Sequence, residues 1–279
     1  MINKNKNMKG SIVLNEEYFV DENSIVRQIW GKADTILFIF AGAAAEFALN
    51  KAVDWLYFTG RLPADPLGRL FSTVSYARQI IFSKKEAALS AIDSIAAIHA
   101  AVEMKRGAAI PDGAYRDVLY LLIDYSIRSF EILERKLDTA EKEEVFTVFT
   151  KVGQRMGLKD LPVTFDEWKI RREQHLQENM DYSIYTTDLF YQYRKHLGFL
   201  RYRILVDTQS LIVPKRVLKL LRFKKASLMP LIISIYKTSR ALKLDCIIRE
   251  LILPRQYKEQ IKSLDIMKKA RCPFGFSKR

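Results

Sequence analysis

Cysteine and histidine are scarce in this chain. Its 279 residues include two cysteines, Cys246 and Cys272, and three histidines. The cysteines are far apart and belong to no pair motif, which excludes a disulfide scaffold and a cysteine-rich zinc site. Three histidines leave little material for a metal cage built from protein alone. Long apolar runs are missing too. The longest, Thr35–Ala45 and Ala226–Tyr236, have 11 residues each, against the roughly 20 that a bilayer-spanning helix needs. The N-terminus is polar and does not read as a signal peptide. A cytoplasmic protein is expected on these grounds. No Ser-His-Asp order, P-loop, GxGxxG or HExxH pattern occurs. Nor does a nucleic-acid-binding motif, so no nucleic-acid partner is expected.

What is present is a globular composition with an uneven charge. Apolar residues make up 49% of the chain and aromatics 11%, which excludes a disordered protein. The net charge is +14. From Arg201 to the C-terminus there are 20 Lys+Arg and 5 Asp+Glu, a surplus of 15. Residues 1–200 hold 26 and 27, a balance of −1. The body is therefore near neutral and the tail is basic. Arg216, Lys219, Arg222, Lys224 and Lys225 alternate with Leu218, Leu220, Leu221 and Phe223. Such a segment suits an amphipathic helix, packed on the domain or lying on an anionic membrane surface.

Hydrophobic periodicity is helical nearly throughout, and Gly and Pro fall between the periodic segments. Ala33–Phe58 predicts a buried helix, continuous or broken. Gly60–Pro66 reads as a loop and Leu67–Phe82 as a helix. Lys84–Arg106 carries a stripe of Ala88, Ile92, Ile95, His99 and Val102. Ala114–Arg135 follows. Thr139 is the expected cap of a helix running to Met156, with Gly157 beyond its end. Thr164–Asn179, Ile184–His196, Arg201–Ile212 and Pro214–Leu221 continue the series. Met229–Leu242, Cys246–Leu251 and Arg255–Leu264 complete it. The expected architecture is one all-α, multi-helix domain over residues 21–269, with a basic helical tail from about residue 201. Met1–Val20 and Ala270–Arg279 read as flexible ends.

Candidate chemistry rests on few residues. His99 sits on an apolar helix stripe. It is either a core histidine with a satisfied hydrogen bond or an axial ligand to a buried flat cofactor, which a haem iron would take from one neutral imidazole. His175 and His196 lie among charged residues and read as surface positions. Arg69 and Thr73 are four apart, on one helix face. Glu46, Asp54 and Asp124 are acids within apolar helices. Each is either a salt-bridge partner or a catalytic base with a raised pKa. Gly153 and Gly157 lie at a helix end, where a capping glycine explains them.

Taken in order, several segments resemble one family. They are Ser24–Trp30, then Ala41-Gly42 in an apolar helix, then Asp65-Pro66 through Arg69 to Thr73. Ile98-His99-Ala-Ala-Val102, Tyr115, the helix Leu119–Phe130, Gly153–Leu158 and Val213-Pro214 follow. Over roughly Ser24–Leu264 the chain resembles the haem-dependent oxygenases that include latex-clearing protein (rubber oxygenase) and the MpaB-type enzymes. That resemblance implies an all-α fold with haem b, and its iron, in a pocket between helices. It implies His99 as the proximal iron ligand, Arg69 and Thr73 on the distal side, and Asp54 in place of another distal polar group. The implied activity is activation of dioxygen against an apolar, isoprenoid-like small molecule. The alternatives are a haem-binding sensor or carrier without turnover, or a helical protein held at an anionic membrane surface by its tail. The chain departs from the family at Ser72, where some members have lysine. It departs again at Ala96 and Glu103, where basic residues are common, and at Ala52-Val53-Asp54, where many carry His-Pro. A distal lysine ligand is not expected at Ser72.

Overall fold

A computed structural model describes residues 17–60, 64–223 and 234. The fold is all-α, as the periodicity predicts, and it forms a single domain. Its helices are α1 (Ile25–Trp30), α2 (Ala33–Phe47), α3 (Asp54–Phe58), α4 (Pro66–Phe82) and α5 (Lys85–Arg106). They continue as α6 (Asp112–Leu133), α7 (Thr139–Arg155), α8 (Phe165–Glu178), α9 (Ile184–Ile212) and α10 (Lys215–Leu220). The expected helices at Met229–Leu242, Cys246–Leu251 and Arg255–Leu264 lie outside the described residues. So do the C-terminal ten residues and most of the N-terminal stretch. Tyr18 and Val20, in that stretch, are packed: Tyr18 pairs with Lys84, and Val20 is buried.

Local chemistry sets the helix ends. Ser24 caps α1 by accepting a hydrogen bond from the Val26 amide. Asp65 caps α4 just before a proline in its first turn, where the missing N–H costs nothing. The cap of α7 is Asp138, not Thr139. Its carboxylate accepts from the Glu141 amide, and Glu141 accepts in return from the Asp138 amide, a reciprocal capping box. The box needs an acid three residues after the cap, and Glu141 meets that spacing only from Asp138. The apolar stretch Ala33–Phe58 is broken. Asn50 accepts from the Ala52 amide at 2.7 Å and bridges to Met180, which turns the chain between α2 and α3. Ile184–His196 and Arg201–Ile212, expected as two helices, run together as α9 across a kink at Gly198. There φ is +73° and ψ 173°, a conformation that suits glycine.

α2 is the central helix. It packs chiefly on α6 and α9, while α4 and α5 pair at one side. Trp30 is fully buried in the core. Its indole N–H donates to Ser126 Oγ at 3.1 Å, and its ring meets Phe40 edge-on at 6.2 Å. This matches the usual burial of an indole, apolar body enclosed and N–H satisfied.

Gly42 lets α2 and α6 approach closely. A Cβ at this position would lie 2.2 Å from the Tyr125 ring. That ring is fully buried and its hydroxyl is hydrogen-bonded to Glu46, so it has no free path away. Gly42→Ala is expected to cost about 2–3 kcal/mol through overpacking, despite alanine's better helix propensity. A urea melt checks this, and an unchanged midpoint would contradict it.

α5 differs from the other helices. It is long and apolar enough to cross a membrane, yet 17% of that apolar window is buried. Counting uninterrupted runs misses it because Asp93 and Glu103 interrupt the sequence. Asp93 is paired with Arg155 at 2.7 Å. Ile98 and Met104 on this helix are 46% and 80% exposed.

Candidate functional site

α5 presents His99, Glu103 and Arg106 at successive helical turns. His99 is half-buried, and its ring lies 5.1 Å from Tyr115 of α6, edge to face. Its Nδ1 is enclosed and has no hydrogen-bond partner. Burial lowers its pKa, and the nearby Arg69 charge lowers it further, with Glu103 opposing. The neutral imidazole is therefore favoured, which is the form that binds metals.

Glu103 Oε1 accepts from the Ile110 amide at 2.8 Å and from the Tyr115 hydroxyl at 3.1 Å. Burial and the Glu103 carboxylate push the Tyr115 phenol up, so it stays a hydrogen-bond donor. The carboxylate thus ties together the end of α5, the following loop and the start of α6, and it fixes the ring beside His99.

Arg69 and Thr73 meet as their spacing predicts. Arg69 Nη1 donates to Thr73 Oγ1 at 3.2 Å, and that hydroxyl lies 3.2 Å from the Arg69 carbonyl. Arg69 is close enough to His99 for its charge to be felt there. Asp54 reaches α5 at another turn. Its Oδ2 is 2.8 Å from Arg106 Nη2, and the Arg106 guanidinium stacks 3.7 Å from the Trp55 ring centre. The Asp54 carboxylate is therefore held in an ion pair. α3, α4, α5 and the start of α6 carry all of these groups.

The other acids serve a different purpose. Glu46 of α2 and Asp124 of α6 share Arg172 of α8. Arg172 Nη2 is 2.7 Å from Glu46 and 2.9 Å from Asp124, and Nη1 also binds Glu46. The Tyr125 hydroxyl donates to Glu46 at 2.8 Å. Arg128 holds the other Asp124 oxygen at 2.6 Å. Both carboxylates are salt-bridge partners, one of the two roles their positions allowed.

His175 is not a surface residue. It is 5% exposed, its Nδ1 lies 2.7 Å from Asp117, and Asn50 also donates to Asp117, at 2.6 Å. Its charged sequence neighbours hide this. The informative pattern is Trp168, Arg172, His175 and Leu176, one buried helix face that mixes apolar and polar side chains. Among the described residues no group of three metal-binding side chains occurs.

These residues fit a haem in their donor chemistry. His99 offers a neutral ring with an enclosed, unpartnered nitrogen. Arg69 offers a guanidinium suited to a carboxylate such as a propionate.

No curated protein and no solved structure matches the chain. One family does. Residues 28–230 match the catalytic domain described as ER-bound oxygenase mpaB/B'/rubber oxygenase. That span includes His99, Arg69, Thr73 and Asp54, and it covers well over half of the chain. The protein therefore belongs to the mpaB/rubber oxygenase catalytic-domain family and is oxygenase-like.

Proposed function

We propose that this protein binds one haem b through His99 and uses it to oxygenate an apolar small molecule. The observation that carries this reading is the enclosed Nδ1 of His99, which lacks a partner beside the Arg69–Thr73 pair. A buried polar nitrogen without a partner costs about 1–3 kcal/mol, and with Nδ1 walled in by protein the other ring nitrogen, Nε2, is the one that would meet a metal ion.

When bound, haem supplies iron on which dioxygen is activated. The side chains of this chain do the rest. His99 gives a neutral imidazole, kept so by burial and by Arg69. Arg69 would neutralise a carboxylate of that group, and it orients the Thr73 hydroxyl. The Thr73 hydroxyl, held between the Arg69 guanidinium and the Arg69 carbonyl, would serve there as a hydrogen-bond or proton source. Asp54, held by Arg106, keeps the α3 wall against α5.

Thr73→Val tests the reading. Valine keeps the shape and removes the hydroxyl. Haem content is expected to stay the same, while dioxygen uptake with a polyisoprenoid falls about tenfold to a hundredfold. Full uptake by the variant would contradict the assigned role. A haem-loaded wild type with no uptake would favour a sensor or carrier.

A further inference from the structure

A cavity lies away from His99. It has a volume of about 780 Å³ and sits between one face of α8 and the segment Val213–Lys219, with Asp124 and Arg128 at its end. None of His99, Arg69, Thr73 or Asp54 lines it.

Its walls are cationic. Lys169 and Arg172 face it from α8, Lys215, Arg216 and Lys219 from the α10 segment, and Arg128 from α6. Some of this charge is answered. Arg172 and Arg128 bind Glu46 and Asp124, and Lys169 pairs with Asp166. Lys215, Arg216 and Lys219 form no ion pair among the described residues, and Glu173 is the one further carboxylate in the lining. The chain beyond residue 223 adds no surplus of acid, with 14 Lys+Arg and 4 Asp+Glu. A cleft with walls of one sign concentrates ions of the other.

Two donors in the lining lack acceptors. Arg216 Nε and Trp168 Nε1 are both buried with no hydrogen-bond partner, and Trp168 is 4% exposed. Buried donors are ordinarily satisfied, and these two, enclosed just behind the surface, belong to side chains that line one cationic cavity. Trp168, Leu176, Val213 and Pro214 add an apolar surface to the same space. Ligand sites commonly combine such a lining with a few convergent polar groups.

We infer that this cavity is a binding site for a phosphate-type oxyanion carried on an apolar body, distinct from the oxygenase site. Arg216 and Trp168 turn their enclosed donors to its oxygens, and Lys215 and Lys219 supply charge. A soluble phosphorylated compound and an anionic lipid headgroup share this chemistry.

Calorimetry on the full chain tests it, with inorganic pyrophosphate as one probe. Phosphatidylcholine vesicles with and without phosphatidic acid are the other. Saturable binding is expected, weakened about tenfold by Arg216→Gln and severalfold by Trp168→Phe. Trp168→Phe changes no charge, so attraction to a basic surface would not respond to it. Lys136→Gln, on a remote exposed lysine, is expected to leave binding intact. Variant-sensitive binding of pyrophosphate assigns a soluble source. Variant-sensitive binding of phosphatidic acid vesicles alone assigns a headgroup. No saturable binding of either probe, or binding indifferent to both cavity variants, would overturn the proposal.

Discussion

Replacing Arg172 with alanine is expected to destabilise the domain by about 3–5 kcal/mol, a large share of the 5–15 kcal/mol that usually holds a domain folded. The reason is what the arginine leaves behind. Glu46 is 0% exposed and Asp124 is nearly so, and Arg172 is the cation they share. Without it, one carboxylate loses its cation in the interior and the other keeps Arg128. The uncompensated charge must then draw in water. Arg172→Met would restore volume but not charge, and is expected to recover little.

The pH dependence separates this cause from simple loss of packing. Burial pushes the Asp124 carboxyl up, but Arg172 and Arg128 together outweigh it and hold the group below the usual carboxylate range. Its folded-state pKa is thus below its unfolded value. The stability it contributes is fully present above about pH 4 and is lost as pH falls through the folded value. In the alanine variant Asp124 keeps the same burial with Arg128 alone to oppose it, so its carboxyl shifts upward and acid relieves it. The stability gap between wild type and variant is therefore expected to narrow from pH 7 toward pH 4. Denaturant melts at both pH values check this, and a constant gap would mean that packing alone is lost.

Much of the fold was legible because helices announce themselves locally. The stripe of α5, the Gly157 stop and the helix read over Leu67–Phe82 each follow from spacing and backbone preference. What failed to show were long-range pairings. His175 looks exposed when read among Arg171, Arg172 and Glu173. Its burial depends on Asp117, 58 residues earlier in the chain, and on Asn50, still further away. Glu46 and Asp124 could be flagged as costly acids in apolar helices, yet their shared cation lies on a third helix. The Gly198 kink joins two segments that the pattern separates, since a positive φ is permitted by glycine but not required by it.

The candidate site divides in the same way. Arg69 and Thr73 meet because they are one turn apart. Asp54 was visible as an acid, but its Arg106 partner lies 52 residues away. Tyr115 entered through family resemblance, without a role. Its contact with Glu103 emerges from the loop that joins α5 to α6, where the carboxylate holds both the phenol and the Ile110 amide. Glu103 thereby organises the ring beside His99.

His99→Ala is the second change with a large expected effect, on binding rather than folding. The imidazole is half-buried and makes no hydrogen bond through Nδ1, so removing it sacrifices little packing and relieves an enclosed polar atom. The denaturation midpoint is expected to move by less than about 1 kcal/mol. Haem affinity, in contrast, is expected to fall at least about a hundredfold, as loss of a protein ligand removes the bond itself. His175→Gln provides the converse. It breaks the buried contact to Asp117 and is expected to lower stability while haem binding persists. The pair distinguishes a ligand from a structural histidine within one protein.

The central claim is that His99 holds a haem. The most direct measurement is the absorption spectrum of the full-length protein after reconstitution with hemin and removal of the excess, recorded in ferric and ferrous forms beside His99→Ala. The account predicts a Soret band that shifts on reduction in the wild type and is absent from the folded variant. A wild type that remains colourless, or a variant with an unchanged band, would contradict it.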